Sequence, residues 1–166
     1  MNLPKKSPSQ KKALEYALWL LGRRARTQKE IEKKLQDKEY SQEDTCYVIN
    51  RLRELKFLDD FEYAKNYIRQ SKIIKPKGKY RLTQELLRRG AEKEIINSAL
   101  EEEFGDEEQE LVERTLRSYF KKVQNLPREK QYNRAMGYLI RRGFTLDESK
   151  KAVKKFLTSD FSSDNL

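Results

Sequence analysis

Basic side chains gather at four places in this chain: Arg23-Arg24-Ala25-Arg26, Lys75-Pro76-Lys77-Gly78-Lys79-Tyr80-Arg81, Arg88-Arg89 and Arg141-Arg142. Clustered guanidinium and ammonium groups bind phosphates or carboxylates, and Tyr80, set between Lys79 and Arg81, adds a ring on which a base can stack. Taken singly, each arginine pair also suits a helix carboxyl terminus, where cations complement the macrodipole. Their recurrence along the chain is what points to a binding surface. Arg81 and Glu85 stand four residues apart, so a structural ion pair competes for the same cation. Lys and Arg number 37 against 27 Asp and Glu, a net charge of +10. Such a surplus draws polyanions or acidic protein surfaces and makes binding fall with salt.

Catalytic chemistry has little to work with. No histidine is present, which removes His-dependent general bases, the usual triads and His-ligated zinc. Cys46 is the single cysteine; no intrachain disulfide or cysteine cage can form, and it reads as a small helix-packing residue. Asp59, Asp60 and Glu62 cluster carboxylates as a metal or acid–base site would, yet their place before an amphipathic stretch reads as helix capping. Trp19, Tyr63 and Tyr67 lie at helical spacings beside aliphatics and read as core or inter-module packing. No cofactor, metal or enzymatic activity is expected. No stretch approaches the eighteen or so apolar residues of a membrane span, and a cytoplasmic monomer is expected.

The elements that would position these groups are helices. Apolar residues recur at threes and fours through Ala13–Leu21, Ile31–Leu35, Val48–Leu55, Phe61–Ile68, Leu82–Leu87, Ile95–Leu100, Leu111–Phe120, a helix between Pro127 and Gly143, and Thr145–Leu157. Thr27-Gln28-Lys29-Glu30 reads as a capping box, and Ser41-Gln42-Glu43-Asp44 as a weaker start. Lys75-Pro76-Lys77-Gly78 breaks one helix, while Gly90 and Gly143 suit left-handed carboxyl caps. No strand alternation interrupts the series.

The helices repeat in threes. Leu86-Leu87-Arg88-Arg89-Gly90 returns as Leu139-Ile140-Arg141-Arg142-Gly143, an offset of 139 − 86 = 53 residues. A fainter copy upstream sets Ile31 under Leu82 and Leu35 under Leu86, without the Arg-Arg-Gly. Self-similarity with apolar identity kept is the signature of stacked supersecondary units that lean on each other. The expected fold is all-α: three tandem three-helix repeats in an elongated, curved array. The divisions are a polar basic arm at 1–12, repeats at 13–58, 59–105 and 106–158, and a frayed tail at 159–166. A tetratricopeptide solenoid, with two helices and about thirty-four residues per repeat, conflicts with these offsets.

Three segments carry a resemblance: Leu58-Asp59-Asp60-Phe61-Glu62-Tyr63-Ala64, Pro76-Lys77-Gly78-Lys79-Tyr80-Arg81-Leu82-Thr83-Gln84-Glu85-Leu86 and Leu139-Ile140-Arg141-Arg142-Gly143-Phe144. In order and spacing they closely resemble the RecX family, bacterial regulators of the RecA recombinase, over about Ala13 to Phe156. The first module departs at Ala25-Arg26-Thr27, where family members often have an acidic residue, His and Ser. Tyr63 stands where Phe is common. The resemblance implies a non-enzymatic protein that binds RecA filaments on single-stranded DNA and suppresses ATP hydrolysis, strand exchange and coprotease activity. Free single- or double-stranded DNA is a further expected partner. The contact candidates, chosen from charge and repeat position, are Arg23, Arg24, Arg26, Lys75, Lys77, Lys79, Tyr80, Arg81, Arg88, Arg89, Arg141 and Arg142. The competing class is a stand-alone helical DNA-binding regulator acting without RecA, which would show tight, salt-sensitive DNA binding on its own.

Overall fold

The structure, a computed structural model, describes residues 7–105 and 107–159. The tail at 160–166, the first half of the arm and Asp106, the expected start of the last triplet, lie outside them. Among the described residues the chain forms nine helices and no strand. The first triplet is α1 (Pro8–Arg23), α2 (Gln28–Gln36) and α3 (Gln42–Glu54). The second is α4 (Asp60–Ile74), α5 (Lys79–Arg88) and α6 (Lys93–Phe104), and the third α7 (Glu108–Phe120), α8 (Arg128–Arg142) and α9 (Leu146–Ser159).

Local chemistry sets the helix starts. Ser7 and Gln10 form a reciprocal capping box, with Pro8 in the first turn, so α1 begins inside the stretch expected to be an arm. Thr27 caps α2 by accepting the Glu30 amide at 3.2 Å, and Ser41 caps α3 by accepting the Asp44 amide at 3.1 Å. The Asp44 carboxylate makes no reciprocal bond; it accepts the Ser9 hydroxyl at 2.6 Å and ties α3 to α1. Asp59 accepts the amides of Phe61 and Glu62 at 2.9 and 3.0 Å, so capping is its role. Gly90 and Gly143 close α5 and α8 at φ +88° and +86°, where an L side chain is disfavoured. Gly78 sits at φ −76° and needs no left-handed freedom; a Cβ there would lie 2.2 Å from the Gly143 carbonyl oxygen, and that close approach excludes a side chain.

The apolar residues gather into two cores rather than three. Ala13, Ala17, Leu20, Ile31, Leu35, Val48, Ile49, Leu52 and Leu58 form the core of the first triplet. A second cluster runs unbroken from Ala64 to Val153 and joins the other two triplets, with Leu82, Leu86, Ile96, Phe104, Leu116 and Leu139 at its centre. Two expected packing residues lie outside both. Trp19 is 55% exposed, because the buried stripe of α1 runs through Ala13, Ala17 and Leu20. Cys46 is also exposed, beside Asn50 one helical turn on. Leu55 and Leu87, expected on apolar helix faces, are exposed as well.

Candidate binding face at the α5–α8 junction

The Arg-Arg-Gly turns are where one triplet meets the next. The carboxyl end of α8 sits on the amino end of α5. The Gly78 amide donates to the Arg142 carbonyl at 2.9 Å, Arg81 Nη1 donates to the Arg141 carbonyl at 2.7 Å, and Arg142 Nη1 donates to the Pro76 carbonyl at 3.4 Å. The carboxyl end of α5 sits in the same way on the amino end of α2. There the Thr27 hydroxyl donates to the Arg89 carbonyl, and a Cβ on Gly90 would lie 2.5 Å from that of Lys29. Carbonyls left over at a helix carboxyl end thus meet donors at another helix's amino end. Thr27 and Gly78 occupy the same position in the repeat, the cap of the triplet's second helix.

Between the two joints runs a network centred on Glu85. Its carboxylate accepts the Tyr67 hydroxyl at 2.7 Å and Arg81 Nε at 3.0 Å, and it pairs with Lys77. Partial burial pushes the Glu85 carboxyl up, but the bonds from Lys77, Tyr67 and Arg81 outweigh it and hold the group at about 2. Tyr67 stacks with Tyr63 at 6.5 Å between ring centroids. Arg89 covers the Tyr67 ring at 4.9 Å and donates to the Tyr63 hydroxyl at 3.0 Å. Burial raises the Tyr63 phenol.

This wiring divides the sequence candidates. Lys77, Arg81, Arg89 and Arg142 are engaged by partners of the chain itself, Arg81 while its side chain stays 48% exposed and Arg142 with its guanidinium 5.1 Å from the Tyr138 ring centroid. Lys79 pairs with Glu108 at 2.7 Å, on a different side of α5. Arg24 is bidentate to Glu30 at 3.0 and 3.1 Å, and Arg26 leans on the Leu20 carbonyl at 3.5 Å. Arg23 covers Trp19. Lys75, Arg88 and Arg141 are exposed and make no side-chain hydrogen bond or ion pair among the described residues. Lys75 stands apart, at the end of α4.

What the structure does bring together is Tyr80, Gln84 and Arg88, one turn apart on α5, with Ile140 and Arg141 of α8. Together with Arg81, Glu85 and Gly143 they line an open depression of about 350 Å³. Tyr80 is 68% exposed and Ile140 43%. The face therefore offers two unpaired guanidiniums, a ring and an aliphatic side chain on a rigid base. It can grip an anionic surface that also presents apolar groups. Gln84 and Ile140 escape a search for charge, and Ile140 sits where the first Leu-Leu copy suggests core. Asp60, expected with Asp59 to cap the helix that follows it, instead accepts the Gln28 amide at 2.8 Å across the first joint, and burial raises its carboxyl. Glu62 pairs with Lys65 at 3.2 Å. No group of three His, Cys, Asp or Glu with metal-binding geometry occurs among the described residues, and none of their helices is long and apolar enough to cross a membrane.

The fold is that of an all-helical tandem-repeat protein. Family models for RecX match all three triplets: the first three-helix domain at residues 13–52, the second at 59–100 and the third at 106–153. The chain belongs to the RecX family. It is 31% identical over 151 residues to a Regulatory protein RecX of Prosthecochloris aestuarii, covering 90% of this chain and 96% of that one. It is 33% identical over 140 residues to one of a Mycobacterium species, covering 82% and 76%. Among solved structures it is similar to RecX from Lactobacillus salivarius, with a TM-score of 0.80, 22% identity, and coverage of 89% of this chain and 96% of that one.

Proposed function

We propose that this protein regulates RecA by binding RecA filaments on single-stranded DNA, with the α5–α8 face as a principal contact, and that it acts by binding alone, without chemistry of its own. The observation that carries the reading is membership of a family whose curated relatives are named regulatory proteins, joined to a face on which Arg88 and Arg141 stay unpaired while neighbouring cations are held internally. Unpaired cations have no internal partner to give up and keep their full attraction for an acidic filament surface or bound phosphates. Energy gained by binding across adjacent subunits would oppose further addition or favour disassembly, which lowers ATP hydrolysis and strand exchange. The protein works in the cytoplasm on this reading, as a monomer.

The test is RecA ATPase on single-stranded DNA with purified protein added at substoichiometric and stoichiometric ratios. R88E/R141E should raise the concentration needed for half inhibition by about tenfold or more, as two desolvated charge contacts would. R24E, which breaks an internal pair in the first triplet, should inhibit like the parent. Inhibition by R88E/R141E at the parent's concentrations places the contact elsewhere.

A further inference from the structure

We propose that α1 carries a stacking platform for single-stranded DNA, formed by Tyr16 and Trp19 and flanked by Lys12, Arg23 and Lys38. Lys12, Tyr16, Trp19 and Arg23 follow one another at spacings of four, three and four, which keeps them on one helix face. That row flanks the core stripe of Ala13, Ala17 and Leu20, with Tyr16 at its inner edge. The Tyr16 and Trp19 rings lie 6.0 Å apart and 17° from parallel. The Arg23 guanidinium stands 5.0 Å from the Trp19 centroid, and Lys38, reaching over from the turn after α2, places Nζ 5.9 Å from the Tyr16 ring. Gly22, beside Arg23, has no neighbour within 4 Å of where a Cβ would stand, so that end is open. Glu15 is the acidic group on the flank.

Tyr16 leans partly on the first core, whereas Trp19 is 55% exposed, and a large ring left open to water has area to gain from a partner. Unpaired bases offer ring faces to the aromatic pair, and their phosphates offer anions to the cations around it, which is the pattern of sequence-tolerant single-strand sites. Guanidinium keeps its stack while turning donors to a phosphate. From Lys12 to Arg23 the line runs about 16 Å at the rise of a helix, the length of about five phosphates at stacked spacing. A duplex hides its base faces and fits the same cations only through its backbone. The choice of DNA as the strand rests on the RecA reading above; the platform itself does not.

Trp19 is the only tryptophan of the chain, so its emission reports the platform directly in the full protein without RecA. Oligo(dT) of about fifteen nucleotides should quench it saturably, with a blunt duplex of equal length and heparin quenching much less. By anisotropy of a labelled oligo(dT), W19A should weaken binding about fivefold or more and W19F should recover most of it. Far-ultraviolet circular dichroism checks that both variants keep the helical fold. Equal quenching by duplex and oligo(dT), or a W19A affinity within twofold of the parent, overturns the proposal. Because R88E/R141E is read through ATPase, a failure there with quenching intact removes the filament reading and leaves the platform standing.

Discussion

The first and second triplets meet through polar groups. Thr27, Gln28, Glu30, Asp60, Tyr63 and Arg89 span the joint, and beside it lies an open cleft of about 480 Å³ lined by Lys29, Arg53, Glu92 and others. The second and third triplets meet through the same carboxyl-end-on-amino-end contact, but there a continuous apolar core from Ala64 to Val153 runs beneath it. The backbone approaches closely enough that Gly78 and Gly143 exclude side chains from each other's space. One repeat device therefore joins two triplets over a shared apolar core and attaches the first triplet through hydrogen bonds and ion pairs. Hydrophobic burial scales with continuous area, whereas exposed ion pairs contribute little and are screened by salt. Bending is concentrated at the first joint on this account.

Core truncations separate the two blocks most strongly. L139A should cost about 2–5 kcal/mol and raise hydrogen exchange across both α4–α6 and α7–α9, while I31A, of similar cost, should do so only in α1–α3. Joint exchange after I31A would break the division. Next comes the close approach at the second joint. G143A places a Cβ in a left-handed backbone and against Arg81, and it should lower stability by about 2–4 kcal/mol in urea denaturation. T27A at the first joint removes a helix cap and the donor to Arg89; a loss of about 1–2 kcal/mol is expected, with chymotrypsin cutting sooner near residues 55–60 and the fused block unaffected.

The smallest effect is one of sign under acid. Glu85 is held at about 2, so its contribution is present above the ordinary carboxylate range and is lost as pH falls from about 4.5 through about 2. In E85Q that acid-dependent loss, on the order of 1 kcal/mol after solvent screening, should disappear from the denaturation profile. Asp60 is shifted the other way by burial, so the first joint gains relative stability as Asp60 takes its proton. D60N should remove that gain. Parallel acid responses at the two joints, read by exchange at α2 and α5, would contradict the assignment.

Much of the architecture was legible because it follows from local pattern. The three-and-four spacing of apolar residues, the caps at Thr27, Ser41 and Asp59, and the left-handed turns at Gly90 and Gly143 depend on neighbours close in sequence, so nine helices in three triplets could be read directly. The Leu-Leu-Arg-Arg-Gly echo showed the repetition, while only the structure shows that its turns are where triplets meet. Local pattern could not say which arginine of each pair turns inward. Arg89 is consumed by Tyr63 and Tyr67, and Arg142 by Tyr138 and the distant Pro76 carbonyl, while Arg88 and Arg141, one residue earlier and about 100° around the helix, face solvent. Nor could it show that Trp19 lies outside the core, that Asp60 crosses a joint, or that two cores serve three triplets. Those outcomes depend on which surfaces meet across long sequence separations, so charge and periodicity determined the kinds of surface, and tertiary packing decided which of their members remained free to bind.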